Sequence, residues 1–236
     1  MATQRESRIV TTEPPAPRRM RRVHAGLGWA GIVGPLLFTA VFLVQEAFRR
    51  DEYDPLTEPV SALEAGPAGW VQQVNFVIFG VLTIAHAIGQ HAGMLPTRRG
   101  VAGPVLLGVT GIAAFVSAIF PLGEDSAGVT QFPVGHLVGG LTFFLVSPMA
   151  LIVLSRRMRR DPAWRSLSRY TFVSGVLLVA FAAVTLRFVF PDDAPLHDLA
   201  GLIQRITVLG VLFPCRVILG IRLVSIARDQ SRRAPD

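Results

Sequence analysis

Long apolar runs alternate with short polar connections along the 236 residues of the chain. A helix needs about 20 mostly apolar residues to cross the hydrocarbon core of a bilayer. Within lipid its backbone polar groups must be satisfied internally, so separate runs of this length are expected to be helices. Six runs qualify: residues 27–48, 70–93, 101–122, 134–155, 170–190 and 199–225. The pattern predicts an all-α, polytopic membrane bundle of six transmembrane helices, with a kink at Pro214 in the last.

Composition supports the membrane class. Hydrophobic residues make up 51% of the chain and charged residues only 17%, and the mean hydropathy is +0.48. Soluble domains carry about a quarter charged residues. The single cysteine, Cys215, excludes an intrachain disulfide and a multi-cysteine metal site. All 23 basic residues are Arg, which together with abundant Ala, Gly and Pro indicates a GC-rich bacterial genome and hence a bacterial cytoplasmic membrane.

The charges predict the orientation of the bundle. Arg is concentrated in four segments: the arm 1–26, the connections 94–100 and 156–169, and the tail 226–236. The other three connections are acidic. Basic connections stay in the cytoplasm, so both termini are predicted to be cytoplasmic and the acidic connections to face out. The arm is predicted to be a disordered, Arg-rich cytoplasmic segment, and the tail is also placed in the cytoplasm.

The Arg runs have an explanation that does not involve nucleic acid, despite a net charge of +7. They set topology, and each Arg near the surface gains about 1 kcal/mol from anionic lipids. We therefore expect the lipid bilayer and anionic lipids as partners, and no nucleic acid. The stretch 161–169, with Trp164 among arginines, is expected to lie in the membrane interface. The first apolar run is too long for a signal peptide, and no cleavage site follows it.

Polar side chains gather at one predicted depth, at and just below the outer face, when depth is counted at 1.5 Å per helical residue. The candidate outer pocket consists of Ser61, Glu64, Asn75, Asp125, His136, Arg187, Asp192, His197, Gln204 and Arg205. Arg187 and Arg205 lie at membrane depth, where an unpaired charge is costly and therefore indicates function. Their expected partners at the same level are Glu46, Glu64, Asp192 and Asp198.

This arrangement predicts an outward-facing pocket, roofed by the first loop, that binds a small anionic or lipid ligand. Arg suits the bidentate recognition of an anionic headgroup or a carboxylate. The alternative is a set of ion pairs that only ties loops to helices. His86 lies about 24 Å deeper by the same helical rise, one turn from Gln90, and so does not belong to the pocket. Arg216 is also deep in its span, and its role is open.

Two other functions stay open, and whether the chain is an enzyme is undecided. His136, His197 and Asp125, Asp192 or Asp193 could hold zinc or another divalent metal, with a water in the open position of a membrane-embedded hydrolase or transferase. Ser61 and Glu64 would then orient a substrate or move protons. No established cofactor is predicted, because no paired-histidine motif is present. The other alternative is a structural or assembly subunit, whose outer layer would be a partner interface.

Three stretches resemble a known family. They are DPLTEPVSALEAGPAGWVQQVNFVIFG in the first loop, PVGHLVGG at the start of span four, and GLIQRITVLGVLFPCRVILGIRL in span six. They are similar to a bacterial and archaeal family known only as domain of unknown function 998, and the resemblance covers about residues 27–225. It implies a six-helix integral membrane protein without an assigned activity. Phe213-Pro214-Cys215 departs from the family pattern, in which a Trp-containing helix without Pro is expected.

Overall fold

The computed structural model describes residues 24–97, 100–126, 130–191 and 193–232. Within these ranges six helices are long and apolar enough to cross a membrane. They are α1 (Ala25–Phe48), α2 (Gly69–Ala92), α3 (Ala102–Ile119), α4 (Val134–Met158), α5 (Arg165–Phe188) and a composite sixth span, His197–Arg232. The all-α six-span prediction is confirmed. Nearly all of the predicted arm, residues 1–23, and the end of the tail, residues 233–236, lie outside the described residues.

The sixth span changes its helix type three times. A 3-10 turn, His197–Leu199, leads into α6 (Ala200–Arg205), a π-helical segment (Ile206–Leu212) and α7 (Phe213–Arg232). Pro214 lies directly after the π-helical segment. Proline has no backbone N–H and interrupts the usual i→i−4 hydrogen bonds. A π-helical segment thus stands directly before the proline, and π-helical turns are frequent at functional sites. The predicted kink at Pro214 stays a prediction.

Successive helices pack side by side, and α7 closes against α1. Two pairs of glycines let the backbones approach closely. A Cβ at Gly220 of α7 would lie 2.8 Å from the carbonyl oxygen of Gly28 in α1. A Cβ at Gly80 or at Gly111 would lie 2.7 Å from the carbonyl oxygen of the other. Small residues commonly form such contacts between membrane helices, because packing there depends on close approach.

One end of the bundle, which we call the loop face, carries the connections 49–68, 120–133 and 189–196. The first connection lies over the helices, and its 3-10 helix, Val60–Glu64, is buried at every position. Ala68 adopts a left-handed conformation, with φ of 60°, at the entry to α2. A Cβ at Gly69 would collide with the carbonyl oxygen of Glu64, so glycine is required there. The third span connects to the fourth through a short hairpin of β1 (Gly123–Glu124) and β2 (Thr130–Gln131).

The opposite end, which we call the terminal face, carries the connections 93–101 and 159–164. Arg157 is buried there and donates to the carbonyl oxygens of Gly100, His91, Met94 and Leu95 at 2.6–3.2 Å. Arg157 thus satisfies carbonyl groups at and after the C-terminus of α2, which have no partners within the helix.

Trp164 is also part of the interior at the terminal face. Its side chain is fully buried, and its Nε1–H donates to the carbonyl oxygen of Gly93 at 2.7 Å. Asp161, three residues earlier, is buried as well and accepts from the N–H of Leu95 at 2.7 Å. Both side chains bond to the connection that follows α2, and the expectation that this stretch lies in the membrane interface stays a prediction.

Candidate functional site

A cavity of about 680 Å³ opens near the loop face between α4, α5 and the sixth span, under residues 57–61 of the first connection. Its walls are largely apolar and rich in phenylalanine. The rings come from α1, α2, α4, α5, α7 and two connections: Phe38, Phe42, Phe76, Phe79, Phe132, Phe143, Phe144, Phe181, Phe190 and Phe213. A volume of this size is typical of a site for a small molecule or cofactor.

Half of the predicted pocket residues line this cavity. They are Ser61, His136, His197, Gln204 and Arg205. The first loop, the start of α4 and the sixth span each contribute at least one of them. The structure thus brings together side chains that are far apart in the chain, as the predicted outer layer requires. The lining of the cavity combines these polar side chains near the loop face with largely apolar walls.

Arg205 is the centre of a partly buried polar cluster with Glu46, Tyr53 and Glu58. Its Nε donates to Glu46 Oε1 at 3.2 Å, and its Nη2 also bonds to this oxygen and to the Tyr53 hydroxyl. Its Nη1 donates to the carbonyl oxygen of Glu58 at 3.0 Å. The predicted pairing of Arg205 with Glu46 is therefore present. With these partners the guanidinium has little capacity left for an anionic ligand.

Tyr53 was not among the predicted residues, although a tyrosine within an acidic connection is a signal for such a contact. Its ring is buried, and its hydroxyl donates to the carbonyl oxygens of Glu58 and Pro59, each at 3.1 Å. Burial raises the pKa of Tyr53 above its ordinary value of 10.0. The phenol therefore remains protonated and stabilises the turn that roofs the cavity.

The start of the sixth span is bonded directly to the first connection. Gln204 accepts from the N–H of Val60 at 2.7 Å. The N–H groups of Gly201 and Leu202 donate to the carbonyl oxygens of Thr57 and Leu56 at 3.3 and 3.0 Å. These are N–H groups of the first turn of α6, which have no partner within their helix. The roof and the sixth span therefore form one hydrogen-bonded unit.

Glu64 and His136 form a second buried pair. His136 Nδ1 lies 3.2 Å from Glu64 Oε2 and 3.3 Å from the carbonyl oxygen of Ser117. The same carboxylate oxygen accepts from the N–H of Leu122 at 3.2 Å. A carbonyl oxygen can only accept a hydrogen bond, so Nδ1 carries the proton. Glu64 does not line the cavity itself, but it holds the ring of a residue that does.

The other predicted pocket residues are not in the cavity. Asn75 is buried between α1 and α2 and donates to the carbonyl oxygen of Phe38 at 3.1 Å. Asp125 is exposed in the hairpin and accepts from Gln131 at 3.1 Å. Arg187 is exposed, its guanidinium lies 5.2 Å from the ring centre of Phe188, and it makes no ion pair with a described residue. Asp192 lies outside the described residues.

The metal hypothesis stays a prediction. Across residues 24–97, 100–126, 130–191 and 193–232, no three His, Cys, Asp or Glu side chains are grouped so that they could hold a metal ion. His136 Nδ1 is engaged by Glu64, and His197 Nδ1 lies 3.0 Å from the carbonyl oxygen of Val189. Asp125 is bonded within the hairpin.

A third polar group lies deeper in the bundle. Arg216 is buried beneath the cavity, with its guanidinium 4.8 Å from the ring centre of Phe79 and its Nη2 donating to Thr83 Oγ1 at 2.8 Å. Its Nε and Nη1 have no partner among the described residues. His86 and Gln90 are also fully buried, and their side-chain nitrogens lie 3.3 Å apart, as their spacing predicts.

Taken together, the six apolar helices and the buried polar clusters between them define a multi-pass integral membrane protein. The family of proteins of unknown function DUF998 has a sequence model that matches residues 32–217. The chain therefore belongs to this family, and the resemblance found in the three stretches above is confirmed. The comparison with the curated proteins found no match, and neither did the comparison with the solved structures.

Proposed function

We propose that the protein binds a membrane lipid, or another amphiphile with a long apolar chain, in the loop-face cavity. The observation that carries the proposal is the lining of the cavity, which is mostly apolar and rich in phenylalanine, with the polar side chains of Ser61, His136 and Gln204 near the loop face. Apolar walls with a few polar groups are typical of sites that bind an amphiphile, because the polar groups fix its orientation.

The position of the cavity in the bundle favours a ligand that enters from the bilayer. Leu141 of α4 and Leu186 of α5 line the cavity and are 37% and 47% exposed. Both belong to membrane-spanning helices, so the part of their exposed surface that lies outside the cavity would face lipid. An apolar chain could therefore slide between α4 and α5 without crossing water.

The charges favour a lipid over a free small anion. Arg205 is already paired with Glu46, and Arg187 lies outside the cavity. Two acidic residues, Glu58 and Asp198, are among the lining residues. A ligand whose polar group carries no strong negative charge fits these charges best. An anionic group would meet the carboxylates of Glu58 and Asp198, and Arg205 is already paired.

The terminal face supplies the second lipid contact that we propose. Arg156, Arg159, Arg160, Arg165 and Arg169 are exposed there. If the Arg-rich side is cytoplasmic, as the charge bias predicts, these side chains meet anionic headgroups of the inner leaflet of a bacterial membrane. The cavity then opens on the outer side.

To test the proposal, a larger side chain is introduced at a position that lines the cavity. A Cβ at Gly140 has no atom within 4 Å, and this residue lines the cavity, so Gly140→Phe inserts a ring into the empty space. The full-length protein is purified in a mild detergent, and the retained lipid is measured by mass spectrometry. We expect retained lipid to fall about tenfold or more, which corresponds to ~1.4 kcal/mol of binding free energy.

The matched control is Val138→Phe, which adds a ring to the same helix on its exposed side, away from the cavity. Its lipid content should equal that of the unchanged protein. Equal lipid in the Gly140 and Val138 variants, with both folded, would contradict the proposal. A wild-type protein that retains no lipid in native mass spectrometry would contradict it as well.

A further inference from the structure

The Glu64 carboxylate is completely removed from solvent, with a side-chain exposure of 0%. Burial of a carboxylate is costly unless its oxygens are hydrogen-bonded. Here Oε2 is bonded to His136 and to the backbone N–H of Leu122, while Oε1 has no partner among the described residues. The first connection therefore holds a buried carboxylate, Glu64, in contact with His136.

The histidine is held with its other nitrogen free. Because Nδ1 donates to Glu64 and Ser117, the neutral ring carries its lone pair on Nε2. That nitrogen has no hydrogen-bond partner among the described residues, and His136 lines the cavity. A carboxylate that orients a cavity-lining histidine through one ring nitrogen, and leaves the other nitrogen without a partner among the described residues, is the arrangement of a general base.

We propose that the protein hydrolyses an acyl ester of the lipid bound in the cavity, with His136 as the catalytic base and Glu64 as its positioning residue. This inference rests on the proposed function. His136 Nε2 takes a proton from a water molecule, and the water oxygen attacks the ester carbonyl carbon. The carbon–oxygen bond to the alcohol then breaks. The leaving oxygen takes the proton from Nε2, so the products are a carboxylic acid and an alcohol, and no cofactor is consumed.

The neighbouring side chains fit this reaction. Ser61 lies on the same 3-10 helix as Glu64 and lines the cavity, but no hydrogen bond joins its hydroxyl to His136 in the described part of the chain. Water is therefore the nucleophile, and Ser61 is left to donate to the ester carbonyl. The side-chain amide of Gln204 is a second donor at this end, since its oxygen is already held by Val60. Such donors stabilise the oxyanion of the transition state.

The test separates chemistry from folding and from lipid binding. His136→Asn keeps a donor close to the position of Nδ1 but has no basic nitrogen. The full-length protein in detergent is given 4-methylumbelliferyl oleate, and release of the fluorophore is followed. In parallel, retention of a non-hydrolysable ether lipid is measured. We expect His136→Asn to lower kcat by about 10²-fold or more, the usual contribution of a general base, with ether-lipid retention and melting temperature unchanged.

Glu64→Gln should lower kcat with little change in KM, because the carboxylate orients the base and does not contact the ester. A purely structural Glu64 would instead lower the melting temperature and leave kcat per folded molecule unchanged. His24→Asn, at an exposed histidine of the terminal face, is the matched control and should keep full activity.

Two results overturn the proposal in different ways. If the wild-type protein retains the ether lipid but releases no more fluorophore than His136→Asn, the catalytic role fails and lipid binding stands. If it retains no ether lipid and hydrolyses no ester, and Gly140→Phe behaves in the same way, the proposed function fails as well.

Discussion

Glu46 near the end of α1 and Arg205 of α6 form an ion pair across 159 positions of sequence, with side chains only 13% and 11% exposed. The pair joins the first span to the sixth at the loop face. Because the same guanidinium also holds Tyr53 and the carbonyl of Glu58, one residue fixes the roof of the cavity relative to two helices.

Loss of either partner should destabilise the protein. Arg205→Met leaves Glu46 buried without its cation, and Glu46→Leu leaves Arg205 without its anion. Removing one member of a buried pair typically costs about 3–5 kcal/mol, whereas replacing both costs far less. We expect each single variant to melt at a clearly lower temperature and the double variant to recover part of the loss.

Cys215 makes this measurement simple, because it is the only cysteine and is buried. A thiol-reactive fluorophore labels it only on unfolding, which gives a melting curve in detergent. Arg187→Met, at an exposed arginine without an ion pair to the described residues, is the control and should melt like the wild type. Additive effects of the two pair substitutions would contradict the coupling.

Arg157 should stabilise the terminal face more than its neighbour Arg156 does. Arg157→Met removes a buried side chain that donates to four carbonyl oxygens. One of these oxygens lies in the last turn of α2, and the other three lie in the connection after it. A hydrogen bond to a charged group contributes about 1.5–3 kcal/mol, so the free energy of unfolding should fall by at least this amount. Arg156→Met, at an exposed position, should have little effect in the same melting assay. Equal losses in both variants would show that the contribution is general electrostatics.

We expect the folded protein to lose stability at alkaline pH because of Tyr53. Burial raises its pKa in the folded protein, so the folded state keeps its proton at a pH where the unfolded chain loses it. Its contribution is complete below pH 10.0, the ordinary pKa of tyrosine, and declines as the pH rises above that value. Melting temperatures measured from pH 8 to pH 11 should fall less steeply in Tyr53→Phe than in the wild type. The reason is that unfolding of the wild type at alkaline pH releases up to about one additional proton per molecule. Parallel curves would contradict this assignment.

We expect Arg216 to lower the stability of the folded protein. It is fully buried at helix depth, bonds to Thr83, and has no carboxylate partner among the described residues. Taking a charge out of water costs several kcal/mol, and no opposite charge among the described residues offsets that cost for Arg216. We expect Arg216→Met to melt at the same or a higher temperature than the wild type.

A second substitution distinguishes the causes. Thr83→Val removes the acceptor of Arg216 and should destabilise the wild type but not Arg216→Met. If Arg216→Met melts at a lower temperature than the wild type or fails to fold, the expectation is wrong.

The candidate site could be anticipated in part. Counting residues from the ends of the predicted spans placed five of the candidate residues at one depth, because depth along a membrane helix follows directly from residue number. These residues are Ser61, His136, His197, Gln204 and Arg205. It could not show that Arg187 faces away, since the rotation of α5 depends on its packing. The roles of Glu64 and Tyr53 also depend on how the first connection folds, and its irregular backbone has no simple period.

The sequence by itself determined the membrane class, the six helices and the layer in which polar groups collect, because a bilayer imposes length and polarity on every span independently. Only the tertiary structure decided which of those groups meet. The pairing of Arg205 with Glu46, the pairing of Glu64 with His136, and the cavity between α4, α5 and the sixth span all depend on contacts between distant segments. Such contacts are selected by the shape of the packed helices and by the cost of leaving a buried charge without a partner.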